Sequence, residues 1–254
     1  MEIFLNADTW VALLTLTFLE IILGIDNIIF ISISANKLPE NQVRKATILG
    51  LALAMITRII LLFGVSYLIA LKDPFLKIDI DWFKTGITGQ SIILFLGGLF
   101  LLYKSTKEIR QKVENTNEDE VLKSPKVISF SSVIIQIILI DIVFSFDSIL
   151  TAVGMTNGIE GALIIMIIAV IVSILIMMIF SKPISNFVNK NPTIQMLALS
   201  FLILIGFMLI TEAAHLSHTE IFNKTVGAIP KGYLYFAIAF SLGVEMLNLK
   251  IRKK

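Results

Sequence analysis

Cysteine is absent from this 254-residue chain. That removes disulfides, thiolate metal sites, Fe–S clusters and cysteine nucleophiles together. A bound metal would have to meet oxygen ligands, or at most His215 and His218, the two histidines present. Charge is scarce as well: 16% of residues are Asp, Glu, Lys or Arg, against about 25% in an ordinary globular domain. The first ten residues hold no Lys or Arg but do hold Glu2 and Asp8. A cleavable signal with a positive leading region is therefore not expected, and the first apolar run is expected to serve as an uncleaved insertion signal. The net charge of +2 singles out no partner, and neither nucleic acid, a cofactor nor an enzymatic activity is expected.

Apolar residues are in excess, at 56% of the chain with a mean hydropathy of +0.90. They come in stretches of about 20 residues, the length that crosses a hydrocarbon core. We read seven transmembrane helices, near 10–34, 44–71, 86–104, 128–153, 160–180, 193–213 and 232–249, and hence an all-α membrane protein embedded in a lipid bilayer. The breaks between them collect Pro, Asn, Lys and Asp, at 36–40, 72–74, 105–126, 181–192 and 215–231.

Lys and Arg orient the chain, because short cytoplasmic loops are enriched in them. Fifteen fall in the 37–45, 104–126, 182–190 and 250–254 stretches, which share one side; Lys72, Lys77, Lys84, Lys224 and Lys231 are on the other. The N-terminus is thus expected outside and the C-terminus in the cytoplasm. One transmembrane domain results: a first repeat over 10–104, a mobile cytoplasmic linker over 105–127, a second repeat over 128–213, and an additional helix over 232–249. Arg58 alone among the basic residues sits well inside a span.

Four carboxylates also lie inside spans: Glu20 and Asp26 in the first, Asp141 and Asp147 in the fourth. At that depth each costs roughly 2.5–3.5 kcal/mol even on insertion-based scales, so the set costs on the order of 10 kcal/mol. A purely structural helix would be easier to insert with leucine at all four positions. Glu20-Ile21-Ile22-Leu23-Gly24-Ile25-Asp26-Asn27 aligns without a gap on Asp141-Ile142-Val143-Phe144-Ser145-Phe146-Asp147-Ser148. The two spans lie three apart and run in opposite directions, the pattern of an inverted repeat with a site near the midplane. Gly98-Leu99-Phe100 and Gly206-Phe207-Met208 echo one another more weakly.

Six residues on a straight helix rise about 9 Å and end on a different face. Glu20 and Asp26 would therefore share an ion only if the helix unwound, with Gly24 the candidate hinge. Alternatively, an antiparallel pairing sets Glu20 level with Asp147 and Asp26 level with Asp141, as two stacked stations. Loss of Glu20 would then resemble loss of Asp147. Asn27 and Ser148 are candidate neutral ligands beside the acids. Such oxygens suit hard cations such as Mg2+, Ca2+ or Mn2+, with proton exchange natural but not required.

Secondary candidates are Arg58, as a counter-charge for one of the acids or a snorkelling side chain, and Glu212 and Lys104. Glu245 and Asn248 read as interfacial, His215 and His218 as solvated loop residues or a metal-collecting pair, and Gln136 as a helix–helix hydrogen bond. Gly97-Gly98, Ala52, Ala54 and Gly64 read as close helix packing. An intramembrane aspartyl protease is disfavoured, since Gly24-Ile25-Asp26 lacks the first glycine of a Gly-x-Gly-Asp stretch.

The stretches Leu19–Asn27 and Asp141–Ser148 resemble the two signatures of the TerC family of integral membrane proteins. Gly97–Lys104 and Tyr233–Ser241 resemble it too, so the likeness runs from about Phe18 to Asn248. The family was named for tellurium resistance, and several members are manganese exporters, some contributing to metal loading of secreted enzymes. The resemblance implies Mn2+ export across the bacterial inner membrane, with Glu20, Asp26, Asp141 and Asp147 essential. Two alternatives stay open: a non-transporting subunit of a tellurite-stress or secretion complex, with membrane-protein partners there, and a carrier of another cation such as Ca2+.

Overall fold

The computed structural model describes residues 2–114, 129–156 and 158–252, without the side chains of a few residues, Ile25 and Asp26 among them. It is mostly helical: α1 (Ala7–Ala35), α2 (Glu40–Phe63), the short α3 (Val65–Ala70), α4 (Gly89–Glu114), α5 (Phe130–Met155), α6 (Ala162–Lys190), α7 (Pro192–Leu216) and α8 (Lys231–Arg252). Six of these are long and apolar enough to cross a membrane: α1, α2, α5, α6, α7 and α8. The seventh expected span, α4, has the length, but its apolar run ends at Leu102, before Tyr103 and Lys104.

Helix termini follow local chemistry. Asn6 caps α1 by accepting from the Asp8 amide, and Ser129 caps α5 by accepting from the Ser132 amide. Gly64, expected to pack helices closely, instead ends α2, its N–H bonding Ile60 O at 3.0 Å. Two helices outrun their expected spans. α4 continues to Glu114 where a linker was expected from residue 105, held by the i,i+4 pairs Lys104–Glu108 (2.9 Å) and Arg110–Glu114 (2.6 Å). The rest of that linker lies outside the described residues. α6 runs through Pro183 to Lys190, where a loop was expected from residue 181.

The chain divides into two compact units, each drawing helices from both halves of the sequence: 1–69 with 126–190, and 70–125 with 191–254. In the first unit α1 packs along α6, α5 along α2, and α2 also against α6. α1 is unbroken at Gly24, so the expected hinge is absent; the missing side chain is a notch that Met177 of α6 fills.

The second unit centres on the crossing of α4 and α7. A Cβ on Gly98 would stand 2.6 Å from Gly206 O, and one on Gly206 would stand 2.9 Å from Gly98 O. Only glycine at both positions lets the two backbones approach this closely.

The same unit carries an antiparallel sheet that corrects the all-α expectation, since 72–85 lay between expected spans, 86–88 opened the third span, and 215–231 was read as a break. β1 (Pro74–Ile80) pairs with β2 (Phe83–Thr88), and β2 pairs with β3 (Glu220–Ile221), which turns into β4 (Lys224–Thr225). Phe222 and Asn223 both have positive φ (51° and 58°), as a tight two-residue hairpin requires. Gly86 N–H donates to Ser217 O (2.8 Å) and the Thr85 and Thr219 hydroxyls meet at 2.9 Å, tying the hairpin to the end of α7.

Candidate functional site

Three helices of the first unit bring charge together in an apolar interior. Glu20 projects from α1, Arg58 from α2 and Asp141 from α5, with 5%, 2% and 4% of their surfaces exposed. Arg58 bridges the two acids. Its Nη1 donates to Glu20 Oε2, its Nη2 to Asp141 Oδ1 at 2.8 Å, and its Nε to the same oxygen at 3.2 Å. A planar fork suits this bridging, since its donors reach two carboxylates at once.

Helix periodicity supplies the neighbours. Asn27 lies seven residues after Glu20, two turns on, and so shares its face of α1. Its Nδ2 donates to Asp141 Oδ1 at 3.4 Å, while its Oδ1 is buried with no hydrogen-bond partner. On α5, Ser145 lies four residues after Asp141 and Ser148 seven. The Ser145 hydroxyl donates to Asp141 Oδ2 at 3.1 Å; that of Ser148 donates to Ser145 O at 3.3 Å. Ser145 was missed in the sequence, although its i,i+4 relation to Asp141 was there to read.

Glu20 and Asp141 therefore face one guanidinium, a link between the two acids that the stacked stations did not include. Six residues beyond Asp141, Asp147 is turned about 120° from it and is half-buried. Asp26 lies in α1, but its side chain lies outside the described residues. Among those described, no set of three or more Asp, Glu, His or Cys side chains gathers. The cluster is a carboxylate pair with hydroxyl and amide oxygens about it. Chemically it can hold a cation: the guanidinium now, or a hard metal ion using the same oxygens.

The secondary candidates fall elsewhere. Lys104, on α4, pairs with Glu108, and half-buried Glu212 sits near the end of α7, both in the second unit. His215 and His218 are exposed. Gln136 bonds Ser132 Oγ within its own helix (3.3 Å), so the expected helix–helix bond is not made. Asn248 donates to Glu245 Oε2 at 3.4 Å on α8.

The profile of the integral membrane protein TerC family matches residues 5–253. An Escherichia coli protein called UPF0053 inner membrane protein YgdQ is 45% identical over 249 residues, covering 98% of this chain and 96% of that protein. A UPF0053 protein of Haemophilus influenzae is 43% identical over 248 residues, covering 98% and 96%. The chain also matches UPF0053 inner membrane protein YoaE of Escherichia coli, 41% identical over 254 residues, but spans only 45% of that protein's length. No solved structure matches. Its whole-length profile match, its inner-membrane relatives and the six helices among the described residues that are long and apolar enough to cross a membrane make this chain a member of the TerC family of integral membrane proteins, seated in the bacterial cytoplasmic membrane.

Proposed function

We propose that the chain exports a divalent cation from the cytosol, Mn2+ in the first instance, through a site built on Glu20, Asp26, Asn27, Asp141, Asp147 and Ser148. The observation that carries this reading is the buried pair of carboxylates on α1 and α5, with the unpartnered Asn27 Oδ1 beside it. Replacing such a charged cluster with apolar residues is often neutral or stabilising, so stability alone gives weak reason to keep it. A hard cation gives a better one, because it uses the same oxygens.

The packing supports an inverted repeat of α1, α2 and α4 against α5, α6 and α7. Exchanging the halves turns the α1–α6 contact into the α5–α2 contact, and Gly98 and Gly206 occupy one another's roles at the α4–α7 crossing. The sheet supports α4 as a crossing helix. Its two hairpins must share one side of the membrane, and four long helices, α4 to α7, separate them in the chain. An even number of crossings satisfies that; leaving α4 out makes it odd. The excess of Lys and Arg on the opposite loops then favours an outer sheet and a cytoplasmic C-terminus.

A non-transporting membrane subunit is the second reading, favoured by the fact that Arg58 already neutralises part of the cluster. Flux of radioactive Mn2+ in proteoliposomes, with and without a pH gradient, separates the two. Wild type is expected to move the ion and Asp26→Asn to lose that movement. An inert wild type, or equal flux from the variant, would contradict the transport reading.

A further inference from the structure

Arg58 lies where the ion should go. Its guanidinium faces one oxygen of Glu20 and one of Asp141, and all three side chains are more than nine-tenths buried. So little solvent reaches either carboxylate that the cation facing both acids supplies most of the compensation for their charge. A divalent ion taking both carboxylates would stand within a few ångströms of a fixed positive charge, and in a dry interior that repulsion is strong. Two cations cannot comfortably use this pair together.

We infer that Arg58 is a tethered counter-cation, competing with the transported ion for Glu20 and Asp141 and reclaiming them when the ion leaves; this rests on the transport reading above. The anchoring makes displacement reversible. Arg58 hangs from α2 while the acids hang from α1 and α5, so the long side chain can withdraw without either acid moving. The Ser145 hydroxyl stays on Asp141 Oδ2, holding that carboxylate in place. The Asn27 amide, now donating to Asp141 and with its oxygen unpartnered, is the neutral ligand waiting for the ion. The price of this arrangement is weaker binding, and its return is release: an ion opposed by a tethered competitor leaves more readily than one facing two bare carboxylates.

The test uses the full chain in lipid nanodiscs, with Mn2+ binding followed by loss of the free-ion EPR signal and efflux followed in proteoliposomes. Arg58→Gln is expected to bind Mn2+ at least about ten-fold more tightly than wild type, since the opposing charge is gone, and to release it more slowly. Arg58→Lys, a point charge that reaches one carboxylate rather than two, is expected to bind with intermediate affinity and keep part of the efflux. It also decides the matter alone if Arg58→Gln fails to fold. Equal or weaker binding by the folded variants would overturn the inference while leaving transport intact. A wild type that neither binds nor moves Mn2+, Ca2+ or Mg2+ would overturn the transport reading, and the inference with it.

Discussion

Asp141→Asn is expected to lower Mn2+ efflux by about 100-fold or more, beyond the 10–100-fold that loss of an outer-shell partner costs a metal site. The substitution keeps shape and an acceptor oxygen but removes the charge that faces Arg58. One of the two acids that face the guanidinium goes with it, and Arg58 is left with Glu20 alone. Breaking a buried ion pair by removing one partner typically costs about 3–5 kcal/mol of stability, so thermal unfolding should fall alongside transport. Glu20→Gln is expected to behave in the same way, because both acids face one guanidinium. Ser145→Ala separates the effects: it only frees Asp141 Oδ2, and a loss nearer about 10-fold is expected. Efflux from proteoliposomes at matched protein content reads all three, and near-normal flux from Asp141→Asn would remove that residue from the ion's path.

The second large effect lies in the other unit and concerns folding. Gly98→Ala is expected to destabilise by about 1–3 kcal/mol, the usual cost of overpacking, and Gly98→Leu to prevent accumulation of folded protein. The new Cβ meets Gly206 O at 2.6 Å and Ile210 Cγ1 at 2.8 Å, and the first of these is backbone that cannot rotate away. Gly206→Ala meets Gly98 O at 2.9 Å from the opposite side. The double substitution should cost less than the two singles added, because one separation of α4 from α7 relieves both clashes. Gly243→Ala on α8, where nothing lies within 4 Å, is the control and should be silent. Thermal unfolding in detergent measures the series; a Gly98→Leu protein as stable as wild type would mean that the crossing is looser than described.

The long apolar stretches and the acids inside them were legible because both signals are local. Twenty apolar residues make a span, and a carboxylate within one stands out whatever surrounds it. That Arg58 would join Glu20 to Asp141 was not legible, since that depends on how three helices pack together. The stacked pairing set Asp26 level with Asp141, and Asn27, the next residue, does meet Asp141; what it left out is Arg58, which reaches both Glu20 and Asp141 from a third helix. Helical phase held part of the answer, because Asn27 and Ser145 share faces with Glu20 and Asp141 whereas Asp26 and Asp147 do not.

The sheet was partly readable. Leu76-Lys77-Ile78-Asp79-Ile80 alternates apolar and charged residues as a half-exposed strand does. Its extension was not, because β3 follows β2 in the sheet but lies more than a hundred residues later in the chain. The continuation of α4 past the apolar run was written in the Lys104–Glu108 and Arg110–Glu114 spacings, which hydropathy passes over.

The most direct measurement is the position of the ion itself, from anomalous diffraction at the manganese edge on crystals of the full chain grown with Mn2+. A peak is expected between α1 and α5, in contact with Glu20 and Asp141 and close to Asn27 Oδ1, with the Arg58 guanidinium displaced from both acids. Anomalous density confined to the surface, with the guanidinium still bridging Glu20 and Asp141 at saturating Mn2+, would contradict it.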